Sequence, residues 1–166
     1  MGDGGQQLHE WAFGDDERGR AVLAESQRRA GASITGRRTY DLSIPWWGPD
    51  GPGGPVRTPT FIVPHRPPEG VPEGGVYTFA ASPEDAVAQA RAVAGGKDVD
   101  IFSPGIGQQA LRAGLVGEVR IHLVPVLLGA GTRLFGDIGH DHIQLKITEV
   151  IEEPKATHLR YAVVRS

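Results

Sequence analysis

Two short segments place glycine or basic side chains where they can bind a phosphate. The first is Gly36-Arg37-Arg38-Thr39, and the second is Ser103-Pro104-Gly105-Ile106-Gly107-Gln108. Free N–H groups at the start of a helix attract anions, and guanidinium groups donate hydrogen bonds to phosphate oxygens. Each segment also fits a structural role, as a helix start or as a turn with solvated basic side chains. The pattern predicts a phosphate-bearing ligand, with these structural roles as the alternative.

Four aromatic residues can line an apolar pocket for a flat ring. They are Trp11, Tyr40, Trp46 and Trp47. The alternative is that Trp11 and Tyr40 belong to the core and that the Trp46-Trp47 pair anchors an interface. The residue types alone favour neither role.

The acidic and histidine residues give weaker signals. Asp15 and Asp16 are the nearest candidates for a proton donor, but Asp at a helix start stabilises the helix without a catalytic role, so capping is the favoured interpretation. His140-Asp141-His142 lacks a third well-placed ligand and is interpreted as an exposed polar turn, so no metal site is predicted. His122 lies on the polar face of its strand and is expected to pair across the sheet.

Apolar runs and alternating patterns predict the elements that position these residues. Strands are expected at residues 32–34, 60–63, 76–79, 99–102 and 119–124, with a closing antiparallel pair at 143–147 and 159–163. Helices are expected at 15–31, 37–42, 82–94 and 108–113, the third with Ser82 as its cap. Residues 45–59, rich in Pro and Gly, are expected to form a long loop. Strands that alternate with helices and end in a hairpin predict a mixed, three-layer α/β/α domain.

Length and composition narrow the class of protein. A chain of 166 residues with 39% apolar and 22% charged residues fits a single globular domain, expected over residues 1–166. The formal net charge is −3 and the 17 Lys and Arg residues are scattered along the sequence, so binding to nucleic acid is not predicted. The sequence has no cysteine and no long apolar run, which favours a cytoplasmic location and no membrane association.

The segment from Gly114 to Phe135, GLVGEVRIHLVPVLLGAGTRLF, carries the most specific motif of the chain. Together with Gly36-Arg37-Arg38-Thr39 and residues 98–108, it resembles the dihydrofolate reductase-like superfamily, in the branch related to the reductase domain of bifunctional riboflavin-biosynthesis proteins. The resemblance extends from about Trp11 to the C-terminus. It implies a dihydrofolate reductase-like fold with a mixed, mostly parallel sheet and a C-terminal antiparallel hairpin.

The resemblance also implies NADPH as the cofactor, a small-molecule substrate and a homodimer. In the family, the position of Gly36-Arg37-Arg38-Thr39 contacts the NADPH phosphates, and His65-Arg66 falls near the adenosine phosphate. Ser103, Gly105, Ile106, Gly107 and Gln108 correspond to a glycine-rich turn against the diphosphate and nicotinamide. Pro104 departs from the adjacent glycines of relatives, because it has no N–H to donate and its φ is restricted.

A second departure lies at the N-terminus. The family begins with a strand that ends in a Ser-Leu-Asp-Gly-like motif, and the Gly-rich residues 1–7 do not form such a pattern. Three explanations are open: the first family strand is missing from this sequence, a partner fills its place in the sheet, or the fold has adapted.

Two functional hypotheses follow. The first is an NADPH-dependent reductase that transfers hydride to a small heterocyclic or aromatic metabolite. The second is a cofactor-free, repurposed scaffold that acts as a small-molecule binder or as a non-redox enzyme of secondary metabolism, which Pro104 and the absent first strand would favour. The sequence identifies neither the substrate nor the proton donor.

Overall fold

The computed structural model describes residues 5–63, 70–136, 138–139 and 142–164. The chain divides into two compact units. One comprises Ser26–Ala110, and we call it the parallel-sheet unit; the other comprises Met1–Glu25 with Leu111–Ser166, and we call it the antiparallel-sheet unit. The expectation of a single domain over residues 1–166 stays a prediction.

The parallel-sheet unit is built on four strands in the order β3-β2-β1-β4. They are β1 (Ala30–Gly36), β2 (Thr60–Val63), β3 (Tyr77–Phe79) and β4 (Asp98–Ile101). All neighbouring pairs are parallel, with Ile34 of β1 opposite both Phe61 of β2 and Ile101 of β4. Ile34 and Ile62 are fully buried, as expected for central strands of a parallel sheet covered on both faces.

Three helices follow strands or turns of this unit. They are α3 (Arg37–Trp47), α4 (Pro83–Val93) and α5 (Pro104–Arg112). The predicted cap of α4 is confirmed, because the Ser82 hydroxyl accepts a hydrogen bond from the Asp85 amide at 3.1 Å. With Pro in its first turn and Glu84 and Asp85 beside its positive end, α4 begins where local sequence favours it.

Two predicted boundaries are wrong. The loop predicted from residue 45 begins later, because α3 continues through Pro45 to Trp47 before two short 3₁₀ turns. Pro45 lies in the last turn, where its missing N–H removes a single helical hydrogen bond. The helix predicted from Gln108 begins at Pro104, since proline is well tolerated in a first helical turn.

The antiparallel-sheet unit holds three strands in the order β5-β7-β6. They are β5 (Glu118–Leu123), β6 (Leu145–Glu153) and β7 (Ala156–Val163), and the β6–β7 hairpin confirms the predicted closing pair. The helix α1 (Glu10–Phe13) belongs to this unit, and α2 (Glu17–Arg29) begins in it.

The mixed α/β class with parallel strands and a C-terminal antiparallel hairpin is confirmed. The structure adds that the strands form two separate sheets. In the described part of the chain, β1 is the first strand and no helix is both long and apolar enough to cross a membrane.

Candidate functional site

The candidate site lies at the carboxyl edge of the parallel sheet. Because all four strands are parallel, their carboxyl ends lie along one edge. From β1 the chain passes through α3 to β2 on one side, whereas β4 lies on the other side of β1. The strand order therefore reverses between β1 and β4, and such a switch point opens a crevice where α/β proteins bind ligands.

The turns that leave β1 and β4 approach each other closely at this switch point. A Cβ atom added to Gly36 would lie 2.9 Å from the Ser103 hydroxyl oxygen and 3.4 Å from Cγ1 of Ile106. The Phe102 amide donates to the Ile34 carbonyl at 2.9 Å, which holds the end of β4 against β1. A side chain at position 36 would displace the Ser103 hydroxyl, and two predicted phosphate-binding segments are brought together there.

The first wall of the site is the N-terminus of α3. Gly36 is the residue before the helix, and no side chain caps the helix end there. Arg37 donates through Nε to both carboxylate oxygens of Asp41, at 2.6 and 2.7 Å. Arg38 is exposed and Thr39 is half-buried. Arg38 is thus the more accessible guanidinium at this helix end, while Arg37 is held along the helix.

The second wall is the first turn of α5. Gly105 and Gly107 lie in this turn, and a Cβ added to either would meet no atom within 4 Å. The Gly107 amide is used in the helix, since it donates to the Ser103 carbonyl at 2.8 Å. Ile106 is buried and Gln108 is half-buried. The two glycines therefore leave open space for the close approach of a ligand to the backbone.

Tyr40 belongs to an aromatic cluster of the same unit. Its ring packs edge-on against Tyr77 at 5.2 Å and Phe79 at 6.3 Å between centroids, and its side chain is 2% exposed. The Tyr40 hydroxyl is buried and makes no hydrogen bond within the described residues, and burial raises its pKa. The Tyr77 hydroxyl donates to the Gly48 carbonyl at 2.6 Å, and burial raises its pKa to about 12. Tyr40 thus occupies the core role that its residue type left open.

The tryptophans occupy different places. Trp46 and Trp47 form the end of α3, where Trp46 is 82% exposed and Trp47 is half-buried. Trp11 is buried in the antiparallel-sheet unit, where it packs against His122 and His158. Only Trp46 of the four aromatic candidates presents most of its surface to solvent.

The two acidic candidates lie at the start of α2. The Asp16 carboxylate accepts hydrogen bonds from the amides of Arg18 at 2.9 Å and Gly19 at 3.2 Å. Asp15 is exposed. Asp16 therefore makes the helix-start contacts that the capping interpretation expects, and a catalytic role for either residue stays a prediction.

Several predicted residues lie outside the described part of the chain: His65, Arg66, His140 and Asp141. His142 is described and exposed. Within the described ranges, no group of three or more His, Asp or Glu side chains is arranged to hold a metal ion.

One residue of the site was not identified from the sequence. Asp41 restrains Arg37, and the signal was available, because an acidic residue four positions after a basic one shares its face of a helix. The helix predicted over 37–42 contained both residues.

Comparisons with known proteins agree with this architecture. Residues 3–159 match the family model of the RibD C-terminal domain. No curated protein sequence matches the chain. A solved protein from Shewanella sp. PV-4, assigned provisionally to riboflavin biosynthesis, is 22% identical, with a TM-score of 0.71 over 94% of this chain and 88% of that one.

Two further solved structures share the fold at lower identity. A pyrimidine reductase-like protein from Corynebacterium diphtheriae is 17% identical, with a TM-score of 0.59 over 92% of this chain and 83% of that one. A diaminohydroxyphosphoribosylaminopyrimidine deaminase/5-amino-6-(5-phosphoribosylamino)uracil reductase from Thermotoga maritima is 10% identical, with a TM-score of 0.62. The match covers 90% of this chain and 50% of the Thermotoga protein, so the chain spans half of that protein's length.

Proposed function

Because the chain belongs to the RibD C-terminal domain family, we propose that it is an NADPH-dependent reductase that transfers hydride to a small heterocyclic or aromatic metabolite. The observation that carries this proposal is the pair of helix N-termini, those of α3 and α5, at the carboxyl ends of the adjacent parallel strands β1 and β4. Two positive helix ends at a switch point suit a ligand with a diphosphate.

The residues present fit such a ligand. Gly36 allows the two turns to meet, and the open faces of Gly105 and Gly107 allow a diphosphate to reach the backbone. Arg38, exposed at the start of α3, offers a guanidinium for the additional phosphate that distinguishes NADPH from NADH. Pro104 contributes no N–H, so the α5 side of the site has one donor fewer than a helix start without proline.

The chain's own contribution is binding and orientation. NADPH, when bound, supplies the hydride. Arg38 and the backbone at the start of α3 would hold phosphate, and the first turn of α5 would contact the dinucleotide. Holding two reactants in one geometry removes much of the entropic cost of a reaction between them.

The substrate class rests on the similar proteins. Two of the similar solved proteins are a pyrimidine reductase-like protein and a 5-amino-6-(5-phosphoribosylamino)uracil reductase, so we propose a pyrimidine-type heterocycle as the first substrate to screen. Trp46 is proposed to stack on the flat ring of such a substrate, because it presents most of its indole to solvent at the end of α3. The proposed location is the cytoplasm, where NADPH is available.

We also propose a homodimer formed through one face of the antiparallel sheet. The paired positions of β5, β6 and β7 place nine apolar side chains on this face. They are Val119, Ile121, Leu123, Leu145, Ile147, Val150, Leu159, Tyr161 and Val163. Leu123 is 59% and Ile147 is 61% exposed, so an apolar sheet face is left accessible to a second copy.

The test is a titration of the purified chain with NADPH and with NADH, followed by tryptophan fluorescence, with FMN and FAD as controls. We expect saturable NADPH binding at micromolar concentration and weaker NADH binding. Arg38→Ala should weaken NADPH binding about tenfold and NADH binding less, because the lost guanidinium pairs with the additional phosphate. If no dinucleotide binds, the reductase proposal is wrong and the cofactor-free scaffold becomes the leading explanation.

A further inference from the structure

Three ionisable side chains meet on one face of the antiparallel sheet. His122 of β5 lies directly opposite His158 of β7. Glu153, the last residue of β6, lies opposite Ala156, which is two residues before His158 and so on the same face. Trp11 of α1 packs against both imidazoles, with ring centroids 4.3 Å from His122, which is exposed, and 4.8 Å from His158, which is buried. We call these four residues the Trp11 cluster.

The inner part of the Trp11 cluster is buried and incompletely hydrogen-bonded. The side chain of His158 is 5% exposed and that of Glu153 is 0% exposed. Nε2 of His158 lies 3.7 Å from Oε1 of Glu153, and neither atom has a hydrogen-bond partner within the described residues. Two buried polar atoms that face each other at this distance are stabilised when a proton lies between them and charges them oppositely.

The outer part of the cluster is a single contact between two imidazoles. Nδ1 of His122 lies 2.7 Å from Nδ1 of His158, which is hydrogen-bonding distance. One nitrogen must donate and the other must accept, so this contact holds a single hydrogen. The number of protons on the two rings therefore decides whether the contact exists.

We propose that Glu153, His158 and His122 form a proton-binding site that keeps Trp11 packed on the sheet, and that full protonation of the two imidazoles releases Trp11. With one proton added from solvent, His158 carries hydrogens on both nitrogens. Its Nδ1–H donates to His122, and its Nε2–H faces the Glu153 carboxylate, which balances the charge. A second proton places hydrogens on both Nδ1 atoms and a positive charge on each ring, so the contact breaks.

Trp11 is well placed to respond to this change. It is the only buried residue of α1, whereas Phe13 of the same helix is 83% exposed. Glu10 of α1 adds a wide ion pair with Lys155, at 3.9 Å between Nζ and Oε2. An exposed pair of this length contributes little. The Trp11 side chain packs on the two imidazoles, and its backbone lies close to α2, where a Cβ added to Gly19 would be 2.6 Å from the Trp11 carbonyl oxygen.

The charged groups around the cluster pair with one another. Arg120 beside His122 pairs with Glu118 at 2.5 Å, and Arg160 pairs with Glu25 at 2.9 Å and Glu149 at 3.1 Å. Burial lowers the pKa of His122 to about 4, with further lowering from His158 and Arg120. Burial also lowers the pKa of His158, and Glu153 opposes that change. The lowered pKa of His122 agrees with a second protonation that occurs only in acid, whereas at His158 burial opposes the first protonation and the Glu153 carboxylate favours it.

The test uses the full chain carrying Trp46→Phe and Trp47→Phe, which leaves Trp11 as the only tryptophan. Trp11 emission and the ring signals of the histidines in NMR spectra are followed from pH 8 to pH 4. We expect the emission to fall and shift to longer wavelength well below pH 6.5, together with the last protonation of the His122–His158 pair. Far-UV circular dichroism should keep its strand and helix signals through the same midpoint.

Matched variants identify the source of the change. His122→Asn replaces the imidazole with an amide that forms hydrogen bonds but does not take up a proton, so the pH-dependent change in Trp11 emission should disappear. His142→Asn is the control, because it removes an exposed histidine outside the cluster and should leave the emission change unaltered. If His122→Asn does not fold, Glu153→Gln should lower the midpoint by about one pH unit, because the counter-charge of His158 is lost. Constant Trp11 emission while both histidines protonate would overturn the proposal. So would an unaltered midpoint in both cluster variants, or loss of secondary structure at that midpoint.

Discussion

Two adjacent arginines at the start of α3 differ in what their side chains contact. Arg37 is held by Asp41 one turn along the helix, whereas Arg38 is exposed. A sequence pattern treats the two as equivalent, because both follow the same glycine. The structure separates them, since positions 37 and 41 share a helix face. We therefore assign the phosphate contact of the proposed site to Arg38, and we regard Asp41 as a restraint on Arg37.

This difference predicts opposite effects of two substitutions on NADPH binding. Asp41→Asn releases Arg37 and removes a negative charge near the phosphates, so the Kd should fall about two- to fivefold, within the range of partly exposed ion pairs. Arg38→Ala should raise it about tenfold. Glu84→Gln is the control, because it removes one exposed charge of the same unit from another helix. Equal Kd values for Asp41→Asn and the parent chain would mean that Arg37 plays no part in binding.

At the scale of elements, glycines 36 and 105 have different tasks. Gly36→Ala brings a Cβ to 2.9 Å from the Ser103 hydroxyl oxygen and should reduce the free energy of unfolding by about 1–3 kcal/mol, as other overpacked sites do. Gly105→Ala meets open space within a helix and should leave stability equal or raise it by up to about 1 kcal/mol, while it weakens NADPH binding. Urea unfolding measures the effect of each substitution on stability, and the NADPH titration measures its effect on binding. A stable Gly36→Ala protein with a normal Kd would mean that the Ser103 hydroxyl rotates away from the added methyl group at little cost.

The first turn of α5 yields a prediction of its own. Pro104→Ala restores a backbone N–H at a helix start that faces the proposed diphosphate, and it preserves the helix because alanine favours that conformation. NADPH binding should strengthen about three- to tenfold, as expected for one additional hydrogen bond to a charged group. Gln109→Ala is a control in the same helix. It removes a side chain that donates to the Gly105 carbonyl and adds no backbone N–H group. Unaltered binding in Pro104→Ala would place the diphosphate away from α5.

At the scale of the whole molecule, the lowered pKa values of His122 and His158 predict how stability depends on pH. The unfolded chain takes up protons near pH 6.5, and the folded chain resists them until about pH 4 at His122, so the stabilisation is complete above pH 6.5. It is lost as the pH falls from 6.5 towards 4. A histidine that is protonated only in the unfolded chain contributes a slope of up to about 1.4 kcal/mol per pH unit. The slope is smaller at His122, which is exposed to solvent, and at His158, where Glu153 favours protonation of the folded chain. Urea unfolding at several pH values measures the slope, and His122→Asn should flatten it.

The apolar face of the antiparallel sheet predicts the effect of a charge on assembly. Ile147→Asp places a carboxylate in the centre of that face and should convert the proposed dimer to a monomer in sedimentation experiments, because an unpaired charge is costly at an apolar interface. Lys146→Asp, on the opposite face of the same strand, should leave the dimer intact. If the parent chain is already a monomer, the proposal of a homodimer is wrong.

Elements that depend on neighbouring residues were predictable from the sequence alone. The strand at residues 60–63, the Ser82 cap of α4 and the β6–β7 hairpin were predicted, because an apolar run, a capping side chain and strict alternation act locally. The boundaries at Pro45 and Pro104 were missed for a related reason. Proline ends a helix in its interior but is accepted in a first or last turn, and the pattern does not show which turn it occupies.

The sites depend on contacts between residues that are distant in the chain. Gly36 and Ser103 became neighbours because β1 pairs with β4, and His122 met His158 because β5 pairs with β7 in one register. Strand order and register arise from the packing of whole elements, so no local pattern specifies them. The sequence by itself determined the family, the residue types and most elements of this protein. Only the tertiary structure decided which guanidinium is accessible and which two imidazoles share a hydrogen, because those properties depend on distance between side chains.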